Sequence, residues 1–272
     1  MSAFGARLRD ALLAGRREGR RGVGAPALRR SDGYEFSELR EYVEGDDPRR
    51  IDWAATARAG SLQTRVILED RSLLLAVALD ASQSMQLGRT RSNYDLACET
   101  ATLWYGAAID DDRCARLGAE PLVLRDVRGR AGARACALRR EPAGTPFGDA
   151  LRLALATLGR GARVLVISDF FELDTQSALL RACVARFDVT TLFARDPWHA
   201  GLPLGGFVAL RDAETGENAR VYVDKRGRER FARAVAARER DVVEALRRTG
   251  ARVGMLDEDA GPLRALAQTF GL

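Results

Sequence analysis

Two apolar runs frame this chain. Leu73-Leu-Leu-Ala-Val-Ala-Leu79 and Val164-Leu-Val-Ile167 are continuous and of strand length, and both stop abruptly at polar residues, Asp80 and Ser168-Asp169. A run that is apolar at every position suits a strand covered on both faces. Around these runs the period turns helical. Residues 94–109 carry Leu96, Ala97, Thr100, Leu103, Trp104 and Ala107 at helical spacing, and Asp110-Asp-Asp112 stops them. Thr145-Pro-Phe-Gly-Asp-Ala-Leu151 reads as a helix start, with Thr145 able to cap and Pro146 suited to the first helical position. Leu151, Leu155 and Leu158 continue it as a stripe that Gly159 ends. Residues 175–185, 229–249 and 262–270 predict further helices. Residues 114–117, 122–127, 189–193 and 252–256 predict strands, and the polar stretch 212–218 turns a hairpin into 220–223.

Strands alternating with helices predict an open, mostly parallel α/β sheet of Rossmann type, flanked by helices, with an N-terminal extension. The extension divides in two. Residues 1–30, rich in Arg, Gly and Ala, predict a helix over 3–13 at most and otherwise a flexible segment. Residues 31–72 hold a short helical or extended element at 34–42, a turn at Gly45-Asp-Asp-Pro48, the segment 51–58 ended by Ala59-Gly60, and a strand over 62–68. Tyr34, Phe36, Leu39, Tyr42, Ile51 and Trp53 offer apolar surface for packing on the main sheet, which residues 73–272 supply.

Composition narrows the functional classes. With 272 residues, 46% of them hydrophobic, the chain can bury one sizeable core and an appendage. No run approaches the ~20 apolar residues of a membrane span, and the start has no signal-peptide stretch. A cytoplasmic protein is expected. Cys98, Cys114, Cys136 and Cys183, scattered and without a C-x-x-C, agree with a reducing compartment. The net charge of +5 comes almost wholly from arginine, because Lys225 is the one lysine. Basic residues alternate with acids, except in Arg16-Arg17-Glu18-Gly-Arg20-Arg21, so a solvated arm explains the charge better than nucleic acid does. Nucleic-acid binding through the arginines stays an alternative without a recognised motif or stacking platform. The one histidine, His199, lies in a Pro-Trp-His-Ala-Gly loop, which leaves no zinc ligand set and no credible Ser-His-Asp triad. Lys225 follows Val-Tyr-Val-Asp, so there is no Walker A loop.

Positive chemistry sits at the strand ends. Asp80-Ala-Ser82-Gln-Ser84 places a carboxylate and two hydroxyls in one tight loop. In an open parallel sheet, sites form beyond the carboxyl ends of the strands, where Asp169 supplies a second carboxylate. Thr145 supplies a third hydroxyl at a helix start. Hard divalent cations such as Mg²⁺ or Mn²⁺ prefer oxygen donors of this kind. A Mg²⁺-dependent, phosphatase-like hydrolase is the enzymatic alternative. Against it, the second acid of a D-x-D pair is replaced by Ser82, and no lysine is placed to neutralise a phosphoryl group.

Asp-x-Ser-x-Ser, then Thr, then Asp, in this order on these elements, resembles the metal-ion-dependent adhesion site of von Willebrand factor A-like domains. The resemblance implies Ser82, Ser84 and Thr145 as direct ligands, and Asp80 and Asp169 as ligands directly or through water. It also implies a partner's acidic side chain that completes the shell. Residues 33–58, Asp196-Pro-Trp-His-Ala-Gly-Leu-Pro203 and Asp212-Ala-Glu-Thr-Gly-Glu217 are similar to patterns of the domain-of-unknown-function 58 family, although His199 stands where that pattern usually has an acid. Membership implies a non-enzymatic adaptor, working with a MoxR-type AAA+ ATPase on an unknown client in chaperone-like or maturation systems. Asp46, Asp47, Arg49, Arg50, Asp52 and Arg58 form the charged cluster expected to network or to dock that ATPase.

Overall fold

A computed structural model describes residues 2–18, 35–43, 48, 51–68, 72–118, 122–123, 128–138, 140–144, 147–212 and 216–272. The chain divides into two compact units, Met1–Gly19 with Leu73–Leu272, and Arg20–Ser72.

The larger unit is an open α/β sheet. Its strands are β3 (Leu74–Leu79), β4 (Arg113–Leu117), β5 (Leu122–Val123), β6 (Arg163–Ser168), β7 (Asp188–Ala194) and β10 (Arg252–Leu256). They lie in the order β10-β7-β6-β3-β4-β5, all parallel except the short edge strand β5. Alternate residues of each strand feed two cores. Leu75, Val77 and Leu79 face α1 (Ala3–Glu18), α3 (Asn93–Tyr105), α4 (Gly129–Leu138) and α8 (Gly261–Phe270). Ala76 and Ala78 face α5 (Phe147–Thr157), α6 (Leu173–Arg186) and α7 (Lys225–Arg248). Burial on both faces is why β3 and β6 are apolar at every position.

The N-terminal helix departs from the reading of residues 1–30 as a flexible arm. It runs to Glu18, past the predicted end at residue 13, and Leu8 and Leu12 are fully buried. Arg9 pairs with Asp112 inside the protein, and Asp112 also accepts the backbone N–H groups of Leu73 (2.6 Å) and Ile109 (2.8 Å). A buried guanidinium needs such a partner, and its presence explains why an arginine-rich helix can be part of the core. Residues 19–34 lie outside the described residues. Helix α4 was not predicted at all.

The smaller unit holds β1 (Glu35–Glu41) antiparallel to β2 (Gln63–Leu68), and α2 (Trp53–Ala59). Of the segment expected to be helical or extended, Glu35–Glu41 is extended. Asp52 caps α2, its Oδ1 accepting from Ala55 N–H at 3.0 Å, and Gly60 closes it at φ 74°, where a β-carbon is disfavoured. Trp53, one of the apolar side chains expected to be covered, is 69% exposed.

The predicted hairpin forms from β8 (Gly206–Arg211) and β9 (Asn218–Val223), a separate two-stranded sheet. Register places Phe207 opposite Tyr222, their ring centroids 5.1 Å apart and both rings exposed. This aromatic pair was not visible in sequence, because only strand pairing brings the two residues together.

Candidate functional site

Read outward from β3, the strand order runs through β4 and β5 on one side and through β6, β7 and β10 on the other. The chain therefore reverses direction between β3 and β6, and neighbouring loops part there to leave a crevice at the carboxyl ends. Leu79 pairs with Ile167, and Asp80 N–H extends the ladder to Ile167 O at 2.9 Å. Asp80 and Ser168 thus emerge side by side at the switch point.

Asp80 is 4% exposed, and both carboxylate oxygens are engaged. Oδ1 accepts the backbone N–H of Ser82 at 2.8 Å, and Oδ2 accepts the hydroxyl of Ser168 at 2.6 Å. Burial raises the Asp80 pKa above its ordinary value; the hydrogen bonds from Ser168 and Ser82 oppose the rise, and the charge of Asp169 adds to it. Ser82 Oγ lies 3.0 Å from Ser84 Oγ, across the turn that opens a short 3-10 helix at Ser84–Gln86. Asp169, half-buried, turns its Oδ1 to the N–H of Phe171 at 3.1 Å. Arg238 of α7 donates to the Asp169 carbonyl at 2.9 Å and stacks over Phe171, 5.3 Å from the ring centre. Between these residues Phe170 adopts φ 49°, a left-handed conformation unusual for a side chain of this size. Its N–H donates to Ser168 Oγ at 2.8 Å.

Four of the five predicted ligands, Asp80, Ser82, Ser84 and Asp169, lie on the two loops that leave β3 and β6 at the switch point. Thr145 lies outside the described residues. Gly144 and Phe147 each contact one of the two loops. Gly144, at φ 82°, donates its N–H to Ala81 O at 2.6 Å. Phe147, the first residue of α5, packs edge-on against Phe170, with centroids 6.3 Å apart.

Among the described residues no group of three or more His, Cys, Asp and Glu side chains is placed to hold a metal ion. The donors at this site are of another kind, two carboxylates and two hydroxyls. They fit a hard cation on two counts. Two neighbouring ligands in an octahedron with bonds of about 2.1 Å stand about 3.0 Å apart, which is the Ser82–Ser84 spacing, although a simple hydrogen bond has the same length. Among the described residues no cation pairs with the Asp80 carboxylate, and burial, with a smaller contribution from Asp169, raises its pKa.

Ser168 was legible only as a polar strand end, and its bond to Asp80 required the register of β3 with β6. Of the predicted docking cluster, Asp46, Asp47, Arg49 and Arg50 lie outside the described residues. Asp52 serves as a helix cap, and Arg58 sits exposed in the last turn of α2. His199 closes a turn on Asp196, its N–H donating to Asp196 O at 3.0 Å.

The family described as "Protein of unknown function DUF58" matches residues 38–241. An uncharacterized protein of Mycobacterium tuberculosis and one of Mycobacterium bovis are each 33% identical over 239 residues, 80% of this chain and 73% of the relative. Among solved structures, BatB from Bacteroides thetaiotaomicron aligns at 17% identity and a TM-score of 0.45, over 74% of this chain and 98% of that one. An aerotolerance-related membrane protein from Bacteroides fragilis aligns at 16% and 0.42, over 74% and 99%. No helix among the described residues is long and apolar enough to cross a membrane.

Proposed function

The chain belongs to the DUF58 family, and from that premise we propose that it is a metal-dependent protein-binding adaptor of the von Willebrand factor A-like type. One observation carries the reading. At the switch point of the sheet, Asp80, Ser82, Ser84 and Asp169 bring oxygen donors together on two adjacent loops, and Gly144 and Phe147 contact Ala81 and Phe170 of those loops. In this reading Ser82, Ser84 and Thr145 hold Mg²⁺ or Mn²⁺ directly. Asp80, which also holds the serine loop through Ser82 N–H, and Asp169 coordinate the ion directly or through water. A bound cation supplies an open coordination position that an acidic side chain of a partner can fill. The proposed partner is a MoxR-type AAA+ ATPase, with a client still to be identified. The four cysteines, none of them in a disulfide, suit a reducing compartment such as the cytoplasm.

The test is capture of the purified MoxR-type ATPase of the same organism with Mg²⁺ and with EDTA. Wild type should bind only with Mg²⁺, and Asp80→Ala should keep the fold but lose binding. Equal capture by Asp80→Ala, or capture in EDTA, would contradict the metal bridge.

A further inference from the structure

Exposed apolar side chains gather on the β8–β9 hairpin. Leu204, Phe207, Leu210, Val221 and Tyr222, in the hairpin or just before it, are between 41% and 87% exposed. Side chains alternate along a strand, so the register puts Phe207 and Tyr222 on one face and Leu210 and Val221 on the other. A two-stranded ribbon is marginal in water without a third strand or a covered face. Apolar exposure on both faces calls for a cover.

The edges show where one can attach. Among the described residues neither outer edge of the hairpin pairs with a further strand. Edges that must stay single are guarded by lysine, proline, a charge in mid-strand or a bulge. β9 carries Arg220 in its middle, but β8, Gly206-Phe-Val-Ala-Leu-Arg211, has no charge before its last residue and keeps an unbroken register. Asp212 N–H donates toward β9, to Glu217 O at 2.8 Å. Hydrogen-bonded pairs alternate along an antiparallel ladder. Leu210 and Val208 therefore also turn inward, and Phe207, Ala209 and Arg211 turn their N–H and C=O groups out of the edge.

We propose that this edge receives β8 of a second copy of the chain, antiparallel about a two-fold axis at Ala209, so that a homodimer shares a four-stranded sheet in the order β9-β8-β8-β9. That register is self-complementary. Phe207 stands opposite Arg211 of the second copy, a pairing suited to a cation–π contact. Val208 stands opposite Leu210 of the second copy, an apolar cross-strand pair. Each contact occurs twice, as an isologous interface requires. The charges agree. The hairpin is acidic at its tip, with Asp212 and Glu217, and basic at its base, where Lys225, Arg226 and Arg228 begin α7. A two-fold axis lays tip against base, whereas a foreign strand of one charge would satisfy only one end. The proposal stands without the cation reading.

Sedimentation velocity of the full chain over roughly a hundredfold range of concentration tests it, because a dimer of this kind responds to mass action. Wild type should pass from monomer to dimer and stop there. Ala209→Pro removes an outward N–H and spares the ladder to β9, a place where an edge strand accepts proline. It should raise the dimer dissociation constant roughly 10-fold or more, one hydrogen bond being lost from each copy. Leu138→Asp is the control: it removes an equally exposed apolar side chain from α4 and should leave the dimer unchanged. A wild type that stays monomeric, or that grows past a dimer, would overturn the proposal. So would an unaltered dissociation constant in Ala209→Pro, since the copies would then meet elsewhere, or an equal effect of Leu138→Asp. Should Ala209→Pro fail to fold, Leu210→Asp must weaken the dimer in its place, and a dimer of wild-type strength there is equally fatal.

Discussion

Asp80 concentrates the argument at the scale of the residue. Its carboxylate is buried, is held by Ser82 and Ser168, and shares its surroundings with Asp169. A raised pKa means that the folded chain binds this proton more tightly than the unfolded chain does. That share of stability is fully present below the ordinary carboxylate value and is lost as pH rises through the raised folded value. Asparagine keeps the shape and the Ser82 contact without the charge. In EDTA, the melting temperature of Asp80→Asn minus that of wild type should therefore grow as pH rises from about 4 to about 7; a difference that stays flat or shrinks would contradict this. The thiols make a second residue-scale prediction. Burial pushes Cys114 up to about 12 and Cys183 up to about 11, and the thiolate is the reactive form. Neither should be alkylated by iodoacetamide at about pH 8 in the folded protein, and mass mapping that found Cys114 labelled first would show its environment to be misread.

Elements differ in how plainly their sequences announce them. β3 and β6 are legible because burial on both faces leaves no polar position. α3 is legible from its stripe, although it ends at Tyr105 rather than at the expected residue 109. α4 buries Gly129, Gly132, Ala133 and Cys136, all small, so close approach to α3 replaces the large apolar stripe by which a helix is recognised. α1 was cut short because its second half is arginine-rich, although Leu8 and Leu12 lie one helical turn apart on its buried face. Its role is open to measurement. Leu12→Ala should cost about 2–5 kcal/mol, the range for truncating a buried leucine, read as a shift in urea midpoint with an unchanged slope. A loss below about 0.5 kcal/mol, typical of a surface site, would show that this face of α1 is not packed in the core.

For the molecule as a whole, alternating strands and helices sufficed to predict an open parallel sheet, and the two polar strand ends marked the loops that the strand order sets side by side. Strand order did not follow from the sequence. Once β3 and β6 are neighbours at the reversal, Asp80 and Ser168 must meet, and a motif spread over residues 80–169 becomes one place in space. The central claim, that these loops together hold a hard cation, is tested most directly by titrating Mg²⁺ into metal-free protein and following the melting temperature of wild type and of Asp80→Asn side by side. A ligand present at about 100 times its dissociation constant adds about 2.7 kcal/mol to a native state that alone binds it. A rise that saturates in wild type and is absent in Asp80→Asn is expected; an equal rise in both, or none in either, would contradict a cation held by these loops.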